Sequence, residues 1–238
     1  VAFRRHLIAV LASLTVFTAL VPPVLSAPHP QATTARLVRR VVTTKKVVSL
    51  TFDDGPTPVA TPLLLDYLKH EKIRTTFFPI GQEASQFPHL VAREVAEGHD
   101  VGNHGMHHKA LGSISEKAAE EEIRAGEEAI VAAGAPKPIY YRLPKGIGSR
   151  TALSVLGRRG YTVISWTVDT RDYQRRTVEA LVDDVMKGVK PGSIILFHDG
   201  PGKREATLAA VKRIVPRLRA QGYTFVPVSQ LLRAPAHT

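Results

Sequence analysis

Two short runs of the sequence hold residue types that do chemistry on their own. Thr51-Phe52-Asp53-Asp54-Gly55-Pro56 places two adjacent carboxylates at the end of a β-branched run. Neighbouring carboxylates there point in different directions, so one can bind a metal while the other acts as a base. His104-Gly105-Met106-His107-His108 places three histidines within five residues. His104 and His108, four apart, can both face one metal ion; His107 could instead pair with His104. Asp54 would supply a third ligand. A His-His-carboxylate set leaves a position for water, the mark of a catalytic rather than a structural metal site.

Three further segments carry polar residues after apolar runs. In Arg142-Leu143-Pro144-Lys145-Gly146 an arginine can hold a buried carboxylate ionised, and Pro and Gly can fix a loop so that a backbone N–H points into a site. Trp166 to Tyr173 carries Asp169 and Asp172. Ile194-Ile195-Leu196-Phe197-His198-Asp199 ends a strand-like run in a histidine. A carboxylate beside His198 would raise its pKa and keep it cationic, as a general acid requires.

These residues need elements to position them. From Val47 onward, strand and helix signals alternate. Strands are expected at 47–52, 75–78, 100–102, 139–143, 162–167, 193–197 and 224–228. Helices are expected near 61–68, with Thr61 as N-cap, then at 88–97, 115–133, 151–159, 177–189 and 206–220. A terminal turn is expected to be capped by Ser229. Gly98, Gly134, Gly160 and Gly222 stop helices. About seven strand–helix units suit parallel strands in a closed or nearly closed α/β barrel. Asp53-Asp54, His104, Arg142, Asp172 and His198 all follow strand C-terminal ends, the face that carries chemistry in such barrels.

Composition narrows the field. The 238 residues suit one domain, and with no cysteine there are no disulfides and no thiolate ligands or nucleophile. The net charge of +11 favours a polyanion such as an anionic cell wall. The lysines and arginines are scattered, and no nucleic-acid motif is present, so nucleic acid is not an expected partner. Residues 1–27, with Arg4 and Arg5 before an apolar stretch and small residues before Ala27, read as a signal peptide, or an N-terminal anchor if uncleaved. Either places the rest of the chain outside the cytoplasm, secreted or held at the envelope; a retained segment would be its only membrane contact. Residues 28–45, rich in Pro, Thr and Arg, read as a solvated linker, and 46–238 as the catalytic domain.

Taken in order, the five segments resemble the five motifs of the polysaccharide deacetylase family, the NodB homology domain of carbohydrate esterases. The likeness runs over about residues 45–232. It implies a distorted (β/α)7 barrel in a single domain, one divalent metal ion (zinc by default, cobalt or nickel as alternatives) and hydrolytic removal of acetyl groups from a polysaccharide. It also implies the roles. Asp53 becomes the base, and Asp54, His104 and His108 become the metal ligands. Arg142 orients the base, the Lys145 backbone N–H stabilises the oxyanion, Asp172 tunes the acid and His198 is the acid. His107 is not a ligand in that pattern. Gly105, Lys145, Thr167 and Tyr173 depart from it, standing where the family commonly has Ser or Thr, an aromatic, an acidic or amide residue, and Trp. The expected substrate is peptidoglycan or a chitin-type N-acetylglucosamine polymer, with O-acetyl glycans open, acted on by a monomer. The alternatives are a different metal hydrolase and a non-catalytic wall-binding protein on the same barrel.

Overall fold

The computed structural model describes residues 34–174 and 176–234. The segment assigned to a signal peptide or anchor, with the first residues of the expected linker, lies outside them. No helix of the described residues is long and apolar enough to cross a membrane.

The strands are β1 (Leu37–Val38), β2 (Val47–Asp53), β3 (Thr76–Phe78), β4 (Asp100–Val101), β5 (Tyr140–Tyr141), β6 (Thr162–Ile164), β7 (Val168–Asp169), β8 (Ile194–His198) and β9 (Thr224–Phe225). The helices are α1 (Ala60–His70), α2 (Gly81–Gln86), α3 (Pro88–Ala96), α4 (Glu116–Ala132), α5 (Arg150–Arg158), α6 (Val178–Gly188), α7 (Glu205–Ala220) and α8 (Val228–Leu231). Every ladder is parallel, in the orders β4-β3-β2-β8-β7 and β1-β6-β5, with β9 beside the start of β2. A parallel bridge from Asn103 to Tyr141 joins β4 to β5, and an antiparallel bridge from Arg40 to Ser193 joins the end of β1 to the start of β8. The wall therefore runs β2-β3-β4-β5-β6-β1-β8 and returns to β2, a distorted barrel with helices outside, as expected.

The expected linker needs correction. Residues 35–41 are part of the barrel wall. Leu37 and Val38 pair with Val163 and Ile164, and Val41 N–H donates to Gly192 O at 3.0 Å. Val38 is buried with Phe78, Ile164, Ile194, Val228 and Leu231 in the barrel interior. The segment lacks periodicity because only two residues pair and arginines flank them. The fit is tight: a Cβ on Gly192, whose φ is +79°, would fall 1.8 Å from Val41 O.

This strand also explains why the single strand expected at 162–167 is two. Up to Ile164 the chain pairs with β1, and Ser165 N–H still donates to Val38 O at 2.7 Å. Where β1 ends, the chain swings to β8 and becomes β7.

Two caps also differ. Val59 precedes α1, and the Thr61 hydroxyl accepts from Thr57 N–H and donates to Asp199 Oδ2. Ser229 lies inside α8, and its N–H and hydroxyl donate to Asp100 at 2.7 and 2.9 Å, tying α8 across the barrel floor. Ser115 caps α4 as expected. The apolar strand faces pack outward on α1, α6 and α7 and on α4 and α5.

Candidate active site

Asp53 closes β2, and its neighbour Asp54 takes a left-handed φ of +71°, which short polar side chains tolerate. The turn is held from below by Asp199. Its N–H donates to Asp53 O at 3.1 Å, its carbonyl accepts from Thr57 Oγ1 and its carboxylate accepts from Thr61 at 2.6 Å. Gly55 is required here, because a Cβ would lie 2.1 Å from Asp199 Oδ2. Burial raises the Asp199 pKa to about 7, against the Thr61 bond.

Arg142, immediately after β5, is fully buried. Its Nη1 donates to Asp53 Oδ1 and Thr51 Oγ1, both at 2.7 Å, and its Nε to Ile164 O at 3.1 Å. The guanidinium lies over the Phe78 ring, 4.2 Å from its centroid. These contacts fix the orientation of one Asp53 oxygen and leave Oδ2 facing His104, 3.8 Å from Nε2.

Asp54, His104 and His108 converge as the sequence implied, with one ligand atom of each within 4.8 Å of the others. Asp54 Oδ1 is 3.4 Å from Nε2 of both histidines, yet it is buried without a hydrogen-bond partner. His104 Nδ1 faces Arg142 O at 2.8 Å; donation to that carbonyl leaves the Nε2 lone pair for a ligand bond. Burial would raise the Asp54 pKa, but the nearness and charge of His104, and then the charges of His198 and His108, bring it below the usual carboxylate value. The His108 pKa is depressed, first by burial and then by His104, with a smaller contribution from Lys145. Two imidazole nitrogens beside an ionised carboxylate are a donor set that can hold a divalent ion.

His107 points elsewhere. Its Nδ1 is 3.1 Å from Glu122 Oε2 and its N–H donates to Glu122 Oε1 at 2.5 Å. Glu122, buried on α4, thus clasps the histidine loop, and Asn103 Oδ1 accepts Gly105 N–H at 2.8 Å. Sequence reasoning missed Glu122, which sits among other glutamates of α4. The signal was available: Ala119, Glu122, Ile123, Gly126 and Ile130 form one buried stripe at helical spacing.

His198 ends β8 with Nδ1 2.6 Å from Asp172 Oδ1, and its N–H donates to Asp172 Oδ2. Thr207 Oγ1 on α7 also donates to Oδ2, at 2.7 Å. Burial opposes the charge on His198, but the bond and charge of Asp172 win, so its pKa is raised while that of Asp172 is lowered.

Asp53, Asp54, His104, His108 and His198 line one cleft of about 540 Å³, bounded also by Lys145, Trp166, Tyr173 and Leu196. Lys145 sits in a tight 3-10 turn at φ +60°. Tyr173 packs edge-on to His198 with ring centroids 5.3 Å apart.

Comparison with known proteins settles the relationship. The family model described as polysaccharide deacetylase matches residues 40–164. The chain belongs to the polysaccharide deacetylase family. A peptidoglycan-N-acetylglucosamine deacetylase of Bacillus cereus is 39% identical over 191 residues, 79% of this chain and 89% of that protein. A chitooligosaccharide deacetylase of Sinorhizobium fredii is 39% identical over 199 residues, 79% of this chain and 93% of that one. The crystal structure of a peptidoglycan N-acetylglucosamine deacetylase in complex with 4-naphthalen-1-yl-N-oxidanyl-benzamide superposes with a TM-score of 0.80 at 30% identity. It covers 86% of this chain and 96% of that one. As a member of the polysaccharide deacetylase family, the chain is a hydrolase.

Proposed function

We propose that this deacetylase uses one divalent metal ion, held by Asp54, His104 and His108, to remove N-acetyl groups from an N-acetylglucosamine polymer such as peptidoglycan. The observation that carries the reading is the orphaned Asp54 Oδ1, buried without a hydrogen-bond partner at 3.4 Å from two imidazole nitrogens. A buried carboxylate oxygen left unsatisfied is costly unless something occupies the space it faces. Zinc is the default for such a donor set, with cobalt and nickel as alternatives.

When bound, the ion supplies Lewis acidity toward an acyl oxygen and lowers the pKa of water. Asp53, fixed through Oδ1 by Arg142, takes the proton of the attacking water with Oδ2. The Lys145 backbone N–H donates to the oxygen that gains charge; removing such a donor typically costs about 10²–10³ in rate. His198, kept protonated by Asp172, gives its proton to the departing nitrogen. The C–N bond breaks, and acetate and a free amine remain. Trp166 and Leu196 add apolar surface to the wall of this cleft.

The substrate reading draws on the relatives, named for peptidoglycan and chitooligosaccharide deacetylation. The export-like N-terminus supports a secreted or envelope location, where such a polymer lies. The test is acetate release from peptidoglycan, N-acetylglucosamine oligomers and acetylxylan, each with metal, with chelator and with metal restored. Chelator-sensitive release from the first two is expected. Release from acetylxylan alone would overturn the substrate, and release insensitive to chelator would overturn the metal.

A further inference from the structure

The cleft holds two cations that the chemistry above does not use as charges. Lys145 follows β5 and Arg204 follows β8, so β6 and β1 stand between them one way round the wall and β4, β3 and β2 the other. Neither makes an ion pair among the described residues. The carboxylates that line the cleft are engaged elsewhere: Asp53 with Arg142, Asp54 with the two histidines, and Asp169 Oδ1 with Arg171 N–H at 2.9 Å.

Arg204 is anchored rather than loose. Its Nε and Nη2 both donate to Gly200 O, at 3.1 and 2.5 Å, on the turn that follows His198. Nη1 makes no hydrogen bond to the described residues, so that edge of the guanidinium is left for a ligand. Both residues occupy left-handed backbone, φ +60° at Lys145 and +49° at Arg204. Glycine or asparagine would be less strained at either place. The chain instead carries a long cation at each, and Trp166 and Tyr173 offer aromatic faces in the same cleft. A neutral acetamido sugar offers an unpaired ammonium or guanidinium only neutral hydroxyl and carbonyl acceptors. A carboxylate on a neighbouring sugar would gain a charge-assisted hydrogen bond.

We infer that Lys145 and Arg204 select glycans in which the sugars flanking the reacting acetamido sugar carry free carboxylates. This deepens the deacetylase reading and rests on it. The test compares kcat/KM on three oligomers of equal length. One is all N-acetylglucosamine; one has lactyl carboxylates on alternate sugars; the third has those carboxylates amidated. Wild type is expected to prefer the carboxylate form about tenfold through KM, with the preference shrinking at high salt. K145N and R204N, which suit left-handed backbone, should each reduce the ratio of charged to neutral kcat/KM about 3-fold, while K145R keeps it. Equal losses on all three oligomers, or no wild-type preference for the carboxylate, would overturn the inference. Calorimetric binding of the same oligomers to D53N protein separates the two readings. Carboxylate-selective binding without turnover by wild type would leave this inference standing and remove the deacetylase reading. Unselective binding would remove this one alone.

Discussion

Arg142 Nη1 stands 2.7 Å from Asp53 Oδ1, with both side chains buried. Removing one partner of such a pair leaves an uncompensated buried charge, at about 3–5 kcal/mol. Arg142→Met should therefore lower unfolding free energy by about that amount in urea titration. Freed from its orientation, Asp53 should also lose at least about 100-fold in kcat. Arg142→Lys keeps the charge but cannot serve Asp53, Thr51 and Ile164 together, and should fall between the two.

The His198–Asp172 pair predicts a pH dependence with a definite sign. The His198 pKa is raised above 6.5, so its stabilisation is full below 6.5 and is lost as pH rises through the raised folded value. The Asp172 pKa is lowered below 3.8, so its stabilisation is full above 3.8 and is lost as pH falls through the depressed one. The stability gap between wild type and Asp172→Asn should be widest between those two reference values. As the acid, His198 must be protonated, so kcat should decline as pH rises past its raised value. Asp172→Asn should move that decline toward acid; an alkaline limb that stays in place would remove His198 from the acid role.

Gly105 stands where the family commonly has Ser or Thr, and restoring that residue should harm this protein. Its φ is +82°, and a Cβ would lie 3.0 Å from Glu122 Oε1 and 3.1 Å from the Tyr141 hydroxyl. Gly105→Ser should cost about 1–2 kcal/mol in thermal or chemical denaturation. Glu122→Gln keeps the shape but weakens the clasp on His107, and should lower metal affinity about 10-fold or more, read by competition with a chelating dye. Unchanged affinity would make Glu122 a helix-packing residue only.

The β1 segment should behave as barrel wall. Val38→Ala is expected to destabilise by about 2 kcal/mol, and truncation through Val41 should abolish cooperative unfolding. An unchanged unfolding curve after truncation would return this segment to a tether.

What was legible in the sequence follows from range. The strand that ends in Asp53, the paired histidines and Arg142 were readable because each is a local pattern of apolar run and polar stop. Ser115 was readable as a cap because its hydroxyl acts within its own helix turn. Thr61 and Ser229 have the same local signature, but their hydroxyls are drawn to Asp199 and Asp100, far away in sequence. The two residues of β1 show no periodicity, and their role exists only once β6 and β8 stand on either side. Glu122 looked like a solvated glutamate because its loop partners lie outside its helix.

The most direct test is acetate release from a peptidoglycan glycan during titration of metal-free protein with zinc. Activity should rise linearly and break at one equivalent, while Asp53→Asn binds the same equivalent and releases no acetate above background. Full release before any metal is added, or unimpaired release by metal-loaded Asp53→Asn, would contradict the account.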